Sequence, residues 1–179
     1  MYRISHSSEK AQPFDDTAPI RIGSLSEYAK RRDFEQTPEP RGLIHSSGEN
    51  RYVIQKHQAT QLHYDLRLER DGVMKSWAVP KGVPKETGIR RLAIQVEDHP
   101  VEYATFEGRI PPGQYGAGTV QIWDHGVYHT NEWTDEKIEV LLKGQRLHGS
   151  YALVKMKTRK NNEWLILKMR EKIAHQSRA

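Results

Sequence analysis

The segment QKHQATQLHYDLRLERDG, residues 55–72, sets His63, Asp65 and Arg67 at alternate positions, with His57 six residues before His63. Alternate residues of an extended strand share one face, so these polar side chains stand together at intervals of roughly 6.6 Å. Leu62, Tyr64, Leu66 and Leu68 supply the opposite, apolar face. His57 reaches the polar face if QATQ bends the chain, for example as a bulge. Two imidazoles and a carboxylate make a three-point set of the kind that holds manganese, iron or zinc and leaves positions open for substrate. Arg67 stays protonated and is no ligand. Its planar fork suits two-point capture of a phosphate or carboxylate docked on the metal, which makes a phosphate ester the natural substrate. Two rival readings use the same residues: a polar outer face that happens to carry histidine, and the H-x-D plus distant histidine triad of a non-haem iron oxygenase.

Other groups stand where they can complete such a site. His99 and Tyr103, in VEDHPVEYATFEG, lie just past a predicted strand end, where functional side chains concentrate. His99 suits phosphate binding or proton transfer, or else a simple turn before Pro100. Lys81 follows Pro80, and Arg90 and Arg91 open the next strand; they matter only if the sheet curls them toward His63. His125 and His129 flank a predicted hairpin turn and read as surface residues. The glycines of PPGQYGAG mark either a place where backbone approaches something closely or a tight bend between strands.

The elements that must position these groups are short strands. From residue 51 apolar residues recur with period two: YVIQK, LHYDLRLE, a turn at Asp71-Gly72, VMKSWAV, RLAIQVE, GTVQIWD with a turn at HG and a return through VYHT, KIEVLLK, GSYALVKMK and EWLILKMR. Eight to ten short strands at this spacing predict an all-β closed barrel. Ser24 three residues before Glu27 has capping-box spacing, which predicts a short helix over about 25–32. Pro38 and Pro40 then enforce extended backbone. Residues 1–22 read as a flexible arm, 23–172 as the barrel domain and 173–179 as a tail.

The chain has 179 residues and no cysteine, so it has neither disulfides nor thiolate ligands, and any metal must be held by nitrogen and oxygen. No apolar run approaches a membrane span, no secretory signal opens the sequence, and a cytoplasmic monomer is expected. The net charge is +5, from 28 basic and 23 acidic residues. Residues 155–172 carry seven of the basic and two of the acidic ones, which leaves 21 of each elsewhere. A basic ribbon on a neutral body suits local contact with a polyanion, although a solubilising hairpin looks the same.

QKHQATQLHYDLRLERDGVMKSWAVPKG, RLAIQVEDHPVEYATFEG and IPPGQYGAGTVQIWDHG resemble the 3′-phosphoesterase module of bacterial ligase D, and RRDFEQTPEPRG resembles the short segment that precedes it. The resemblance spans about residues 31–169, and neither a K-x-D-G ligase motif nor room for a polymerase module is present, so the chain looks free-standing. It implies a β-barrel with a crescent-shaped groove and a manganese-dependent enzyme acting on nucleic-acid 3′ ends. Such an enzyme removes a terminal ribonucleoside from a primer–template, then the remaining 3′-phosphate, leaving a 3′-hydroxyl for non-homologous end joining. Separate ligase, polymerase or Ku proteins are its implied partners. Carried onto this sequence, the resemblance makes His57, His63 and Asp65 the metal ligands. Arg67 and His99 would hold the scissile phosphate with Tyr103 nearby, and Gln55, Lys81 and Arg91 would support the groove. Arg32, Asp33 and Glu39 would fold back on the site. A barrel that only binds nucleic-acid ends is a further alternative, but it needs stacking aromatics gathered on one strand face.

Overall fold

The computed structural model describes residues 23–171, so the proposed arm at 1–22 and the tail at 173–179 lie outside the described residues. Among the described residues nine strands form one antiparallel sheet: β1 Arg51–Gln58, β2 Leu62–Arg70, β3 Val73–Val79, β4 Arg90–His99, β5 Gly108–Ile110, β6 Gly118–Trp133, β7 Lys137–Gly144, β8 His148–Lys155 and β9 Glu163–Lys168. Their order is β1-β2-β3-β4-β9-β8-β7-β6-β5, and pairing of β1 with β6 closes eight of them into a barrel while β5 extends the free edge of β6. The helix α1, Ser26–Lys30, is a single turn. No helix among the described residues is long and apolar enough to cross a membrane.

Period two decides which side chains fill the barrel. Tyr52 and Ile54 of β1, Leu66 and Leu68 of β2 and Trp77 and Val79 of β3 face inward. They meet Val140 and Leu142 of β7, Leu153 of β8 and Ile166 of β9 in one buried cluster. Each such side chain contributes roughly 1.5–3 kcal/mol on burial, so the register that puts them inside is strongly selected. The intervening residues of β1 to β3 therefore face outward. They are not solvated, because the segment before β1 and a 3₁₀ helix, Val101–Thr105, lie over them. Val53, Met74 and Ala104 form a second, smaller apolar cluster under that cover. The polar residues of the same outer face are trapped between barrel and cover, and that trapped layer is the site.

Two local expectations are corrected. The predicted turn at His125-Gly126 is absent: β6 runs unbroken through it for 16 residues. Gly126 pairs with Tyr52 of β1 on one side and Gly144 of β7 on the other. A Cβ there would collide with the Lys143 carbonyl, so the glycine serves close backbone approach at the barrel seam rather than a turn. Gly126→Val should accordingly lower the melting temperature by several degrees, about 1–3 kcal/mol of overpacking, without touching the site. The capping box also fails to form. The helix N-cap is Leu25 with no side-chain cap bond, because the Ser24 hydroxyl turns onto the N–H of Ser26 at 3.3 Å. The turn at Asp71-Gly72 is present, with both residues at positive φ (56° and 78°), as a two-residue hairpin requires.

Candidate metal centre and anion pocket

His57 and His63 are direct cross-strand partners in the β1–β2 hairpin, with Gln55 opposite Asp65 and Val53 opposite Arg67. The convergence thus comes from pairing two strands across the 59–61 turn, not from one bent segment. Partners on one face of an antiparallel pair hold their Cβ atoms about 5 Å apart. Here the imidazole centroids are 4.7 Å apart. Asp65 Oδ2 sits 3.5 Å from His57 Nδ1 and 3.4 Å from His63 Nε2. One ligand atom from each of the three residues lies within 4.8 Å of the others.

Hydrogen bonds fix which ring nitrogens face inward. His57 Nε2 donates to the carbonyl of Gly116 at 2.7 Å, and His63 Nδ1 donates to the carbonyl of Gln61 at 3.0 Å. The remaining nitrogens, His57 Nδ1 and His63 Nε2, point at a carboxylate oxygen, as acceptors when the rings are neutral and as donors to it when they are protonated. Three acceptors so aligned repel one another unless a proton or a cation lies among them. Ligand atoms sharing one cation at about 2.1 Å stand roughly 3–3.5 Å apart, so the two histidine–carboxylate spacings fit a divalent ion with nitrogen and oxygen ligands. Backbone carbonyls on the outer ring nitrogens are the usual orienting shell of such sites. Gly116 presents its carbonyl from a positive φ of 75°, a conformation that glycine takes without strain.

Arg67 lies beside this set, 3% exposed, its Nη2 3.4 Å from Asp65 Oδ2. Nε donates to Gln55 Oε1 at 2.7 Å, and the guanidinium stacks on the Tyr103 ring at 4.6 Å. Gln55 is held in turn, since its amide donates to the carbonyls of Tyr103 and Phe106, both at 2.9 Å. Arg67 Nη1 is buried without a hydrogen-bond partner. An unpaired buried guanidinium donor is costly and calls for an acceptor from outside the chain. A pocket of about 280 Å³ opens over these groups, lined also by Arg32, Glu39, Glu97, His99, Tyr103 and Tyr115.

The electrostatics follow from burial and neighbours. Burial pushes the Asp65 carboxyl up, but the Arg67 guanidinium and the hydrogen bonds from His57 and His63 hold it well below the usual carboxylate range. The hydrogen bond to Asp65 raises the His63 pKa above its ordinary value, against burial. His99 moves the other way: burial, then Arg67 and Arg32, depress it well below 6.5. It is a neutral ring whose Nδ1 donates to the Glu97 carbonyl at 2.9 Å and whose Nε2 accepts from Arg32 at 3.3 Å. Below pH 6.5 the unfolded chain binds a proton at His99 that the folded chain refuses, so stability falls as pH falls. The slope from this group approaches about 1.4 kcal/mol per pH unit, and thermal melts from pH 6.5 to 5 should show it in the wild type but not in His99→Gln.

Of the residues singled out in the sequence, His57, His63, Asp65, Arg67, His99, Tyr103, Arg32 and Glu39 line this pocket. Gln55 lies beneath it. Arg32 reaches it through an ion pair with Glu39 at 2.8 Å and a second with Glu97 at 3.3 Å, and Tyr103 donates to Glu39 at 2.7 Å. Asp33 is not brought in: it is exposed and its carboxylate accepts the N–H of Glu35. Lys81 and Arg91 line a different depression, at the barrel mouth beside Tyr64 and Trp123. Sequence reasoning missed Glu97, Tyr115 and Gly116. The glycine-rich loop marked the place where Gly116 meets His57, but nothing in the sequence named the partner.

The fold and the site together define a closed antiparallel β-barrel that carries a candidate divalent-metal centre beside a buried guanidinium with an unpaired donor. The family model for the DNA Ligase D 3′-phosphoesterase domain matches residues 55–155, and the chain belongs to that family. It is 47% identical over 156 residues to the multifunctional non-homologous end joining protein LigD of Pseudomonas aeruginosa, covering 82% of this chain and 19% of that protein. It is 46% identical over 159 residues to the LigD of Mycobacterium tuberculosis, 86% of this chain and 21% of that protein. With the LigD of Mycolicibacterium smegmatis the identity is 41% over 182 residues, 94% and 23% of the two chains. The chain therefore spans about a fifth of the length of the curated relatives it matches.

Proposed function

We propose that this chain is a manganese-dependent 3′-end phosphoesterase, which removes a 3′-terminal ribonucleoside and then the 3′-phosphate so that a 3′-hydroxyl is available for end joining. The observation that carries the reading is the unpaired Nη1 of buried Arg67, whose Nη2 lies beside Asp65 Oδ2, with two histidines aimed at the same oxygen. His57 Nδ1, His63 Nε2 and an Asp65 oxygen would hold the cation. Bound there, it would polarise a phosphate oxygen and orient the ester.

The chain's own residues do the rest. Arg67 receives a nonbridging phosphate oxygen through Nη1 and stabilises the charge that builds there as the ester breaks. Gln55 and the Tyr103 ring keep that guanidinium from turning away, and Tyr103 stays a phenol because burial pushes its pKa up. His99, neutral and bonded at both nitrogens, fixes Arg32 at the pocket wall between Glu39 and Glu97. Nothing in the pocket reads base edges, so catalysis is insensitive to the terminal base. The 2′-hydroxyl of a terminal ribonucleotide distinguishes the first substrate from DNA. The basic ribbon of residues 155–172, whose described part spans the β8–β9 turn and β9, grips the duplex backbone.

A primer–template with one 3′ ribonucleotide tests the reading. Gel analysis should show a 3′-phosphate product that precedes the 3′-hydroxyl product, both dependent on manganese. A product that forms only with oxygen and an oxidisable cosubstrate would replace this reading with an oxygenase.

A further inference from the structure

The barrel mouth that receives Lys81 and Arg91 has a composition that the reaction does not use. Its depression, about 150 Å³, is lined by Tyr64, Lys81, Gly82, Val83, Lys85, Arg91 and Trp123, and no carboxylate lines it. Lys85 Nζ stands 5.4 Å from the Trp123 ring centroid and Arg146 Cζ 5.1 Å, while Tyr64 meets the indole edge-on at 5.9 Å. Lys81, Lys85, Arg91 and Arg146 form no ion pair with a carboxylate among the described residues. Cations gathered on one indole without counter-charge repel one another, and a polyanion relieves that repulsion.

The arrangement is built rather than accidental. Asp124, buried next to Trp123, accepts the backbone N–H groups of Gln145, Arg146 and Leu147 at 2.8–3.1 Å and the Tyr52 hydroxyl at 2.7 Å. Its carboxylate is therefore engaged inward, and the turn that carries Arg146 is locked against the indole. Arg91 Nη1 likewise donates to the carbonyls of Lys81 and Gly82, at 2.6 and 2.9 Å, and fixes the loop that carries Lys81.

The position relative to the metal centre is set by β2. Tyr64 lies between His63 and Asp65 in sequence and points to the opposite side of the sheet. The two sites are thus front and back of one stretch of strand, and the exposed turn at 59–61 is the edge between them.

We propose that the Trp123 mouth is a second nucleic-acid subsite, where Lys85 and Arg146, with Lys81 and Arg91, clasp the phosphodiester backbone of the strand whose end is held at the metal centre. It rests on the phosphoesterase reading for the nature of the ligand, but it is tested by binding alone. A fluorescein-labelled primer–template is titrated with Lys85→Gln/Arg146→Gln protein in chelator, by anisotropy, across a range of salt. Affinity should fall roughly tenfold, and the plot of log affinity against log salt should become shallower by about two. The control, Lys30→Gln/Arg41→Gln, removes equal charge from exposed residues already paired with Glu27 and Glu35, and should move neither quantity. A single-stranded oligonucleotide with the same 3′ end locates the contact: loss on both forms assigns it to the 3′-ended strand and supports the subsite, whereas loss on the duplex alone assigns it to the complement and overturns that placement. Wild-type affinity and slope in the mouth variant, or an equal fall in the control, would overturn it. Absence of hydrolysis would instead overturn the phosphoesterase reading and leave this binding result standing.

Discussion

Asp65→Asn should lower phosphoester hydrolysis by roughly a thousandfold or more, because it withdraws the anion on which both imidazoles and the guanidinium converge. The substitution preserves shape and removes charge. An asparagine oxygen is a poor ligand for a transition metal beside two histidines, and its amide hydrogens would face the His57 and His63 lone pairs. The same change leaves Arg67 buried without its carboxylate, a loss of about 3–5 kcal/mol. Stability and catalysis therefore both fall, and manganese separates them. Saturating metal should raise the melting temperature of the wild type, as any ligand of the folded state does, and leave that of Asp65→Asn where it was. Wild-type manganese affinity and turnover in folded Asp65→Asn would show that Asp65 is not a ligand.

Arg67→Lys should cost roughly 100- to 1,000-fold in turnover and leave metal binding in place. Lysine keeps the charge near Asp65. It cannot donate at once to Gln55 and to an incoming phosphate along the two directions that Nε and Nη1 provide, nor stack flat on Tyr103. Product analysis on ribonucleotide and 3′-phosphate ends, alongside a manganese titration of the same protein, checks the division of labour. Loss of the metal in Arg67→Lys would contradict it.

Much of this site was legible because a strand has a period of two. His63, Asp65 and Arg67 could only share a face, and Leu66 and Leu68 could only be inside, once β2 was recognised. What the period does not carry is pairing. His57 joins the set through register with β2 rather than a bend in its own strand, and register is a property of two segments. The same limit explains His125-Gly126, where the dipeptide matches a turn signal and the seam between β1 and β7 needs the glycine. It also explains Lys81 and Arg91, which follow and open strands as expected but face the mouth of the barrel, away from the metal centre. The pattern of residues alone did not reveal the cover over the outer face, although the family resemblance pointed to Arg32 and Glu39 folding back on the site. The 3₁₀ helix is too short to produce a period, yet its Tyr103 carbonyl holds Gln55 and its Tyr103 ring lies against Arg67.

The most direct test is calorimetric titration of the metal-free protein with manganese, in parallel for wild type and His63→Ala. One ion should bind per wild-type chain, with protons released at mildly acidic pH as His63 gives up the hydrogen it shares with Asp65, and none should bind at this site in His63→Ala. Equal binding by the two proteins, or none by either, would mean that the paired histidines and Asp65 are not a metal centre.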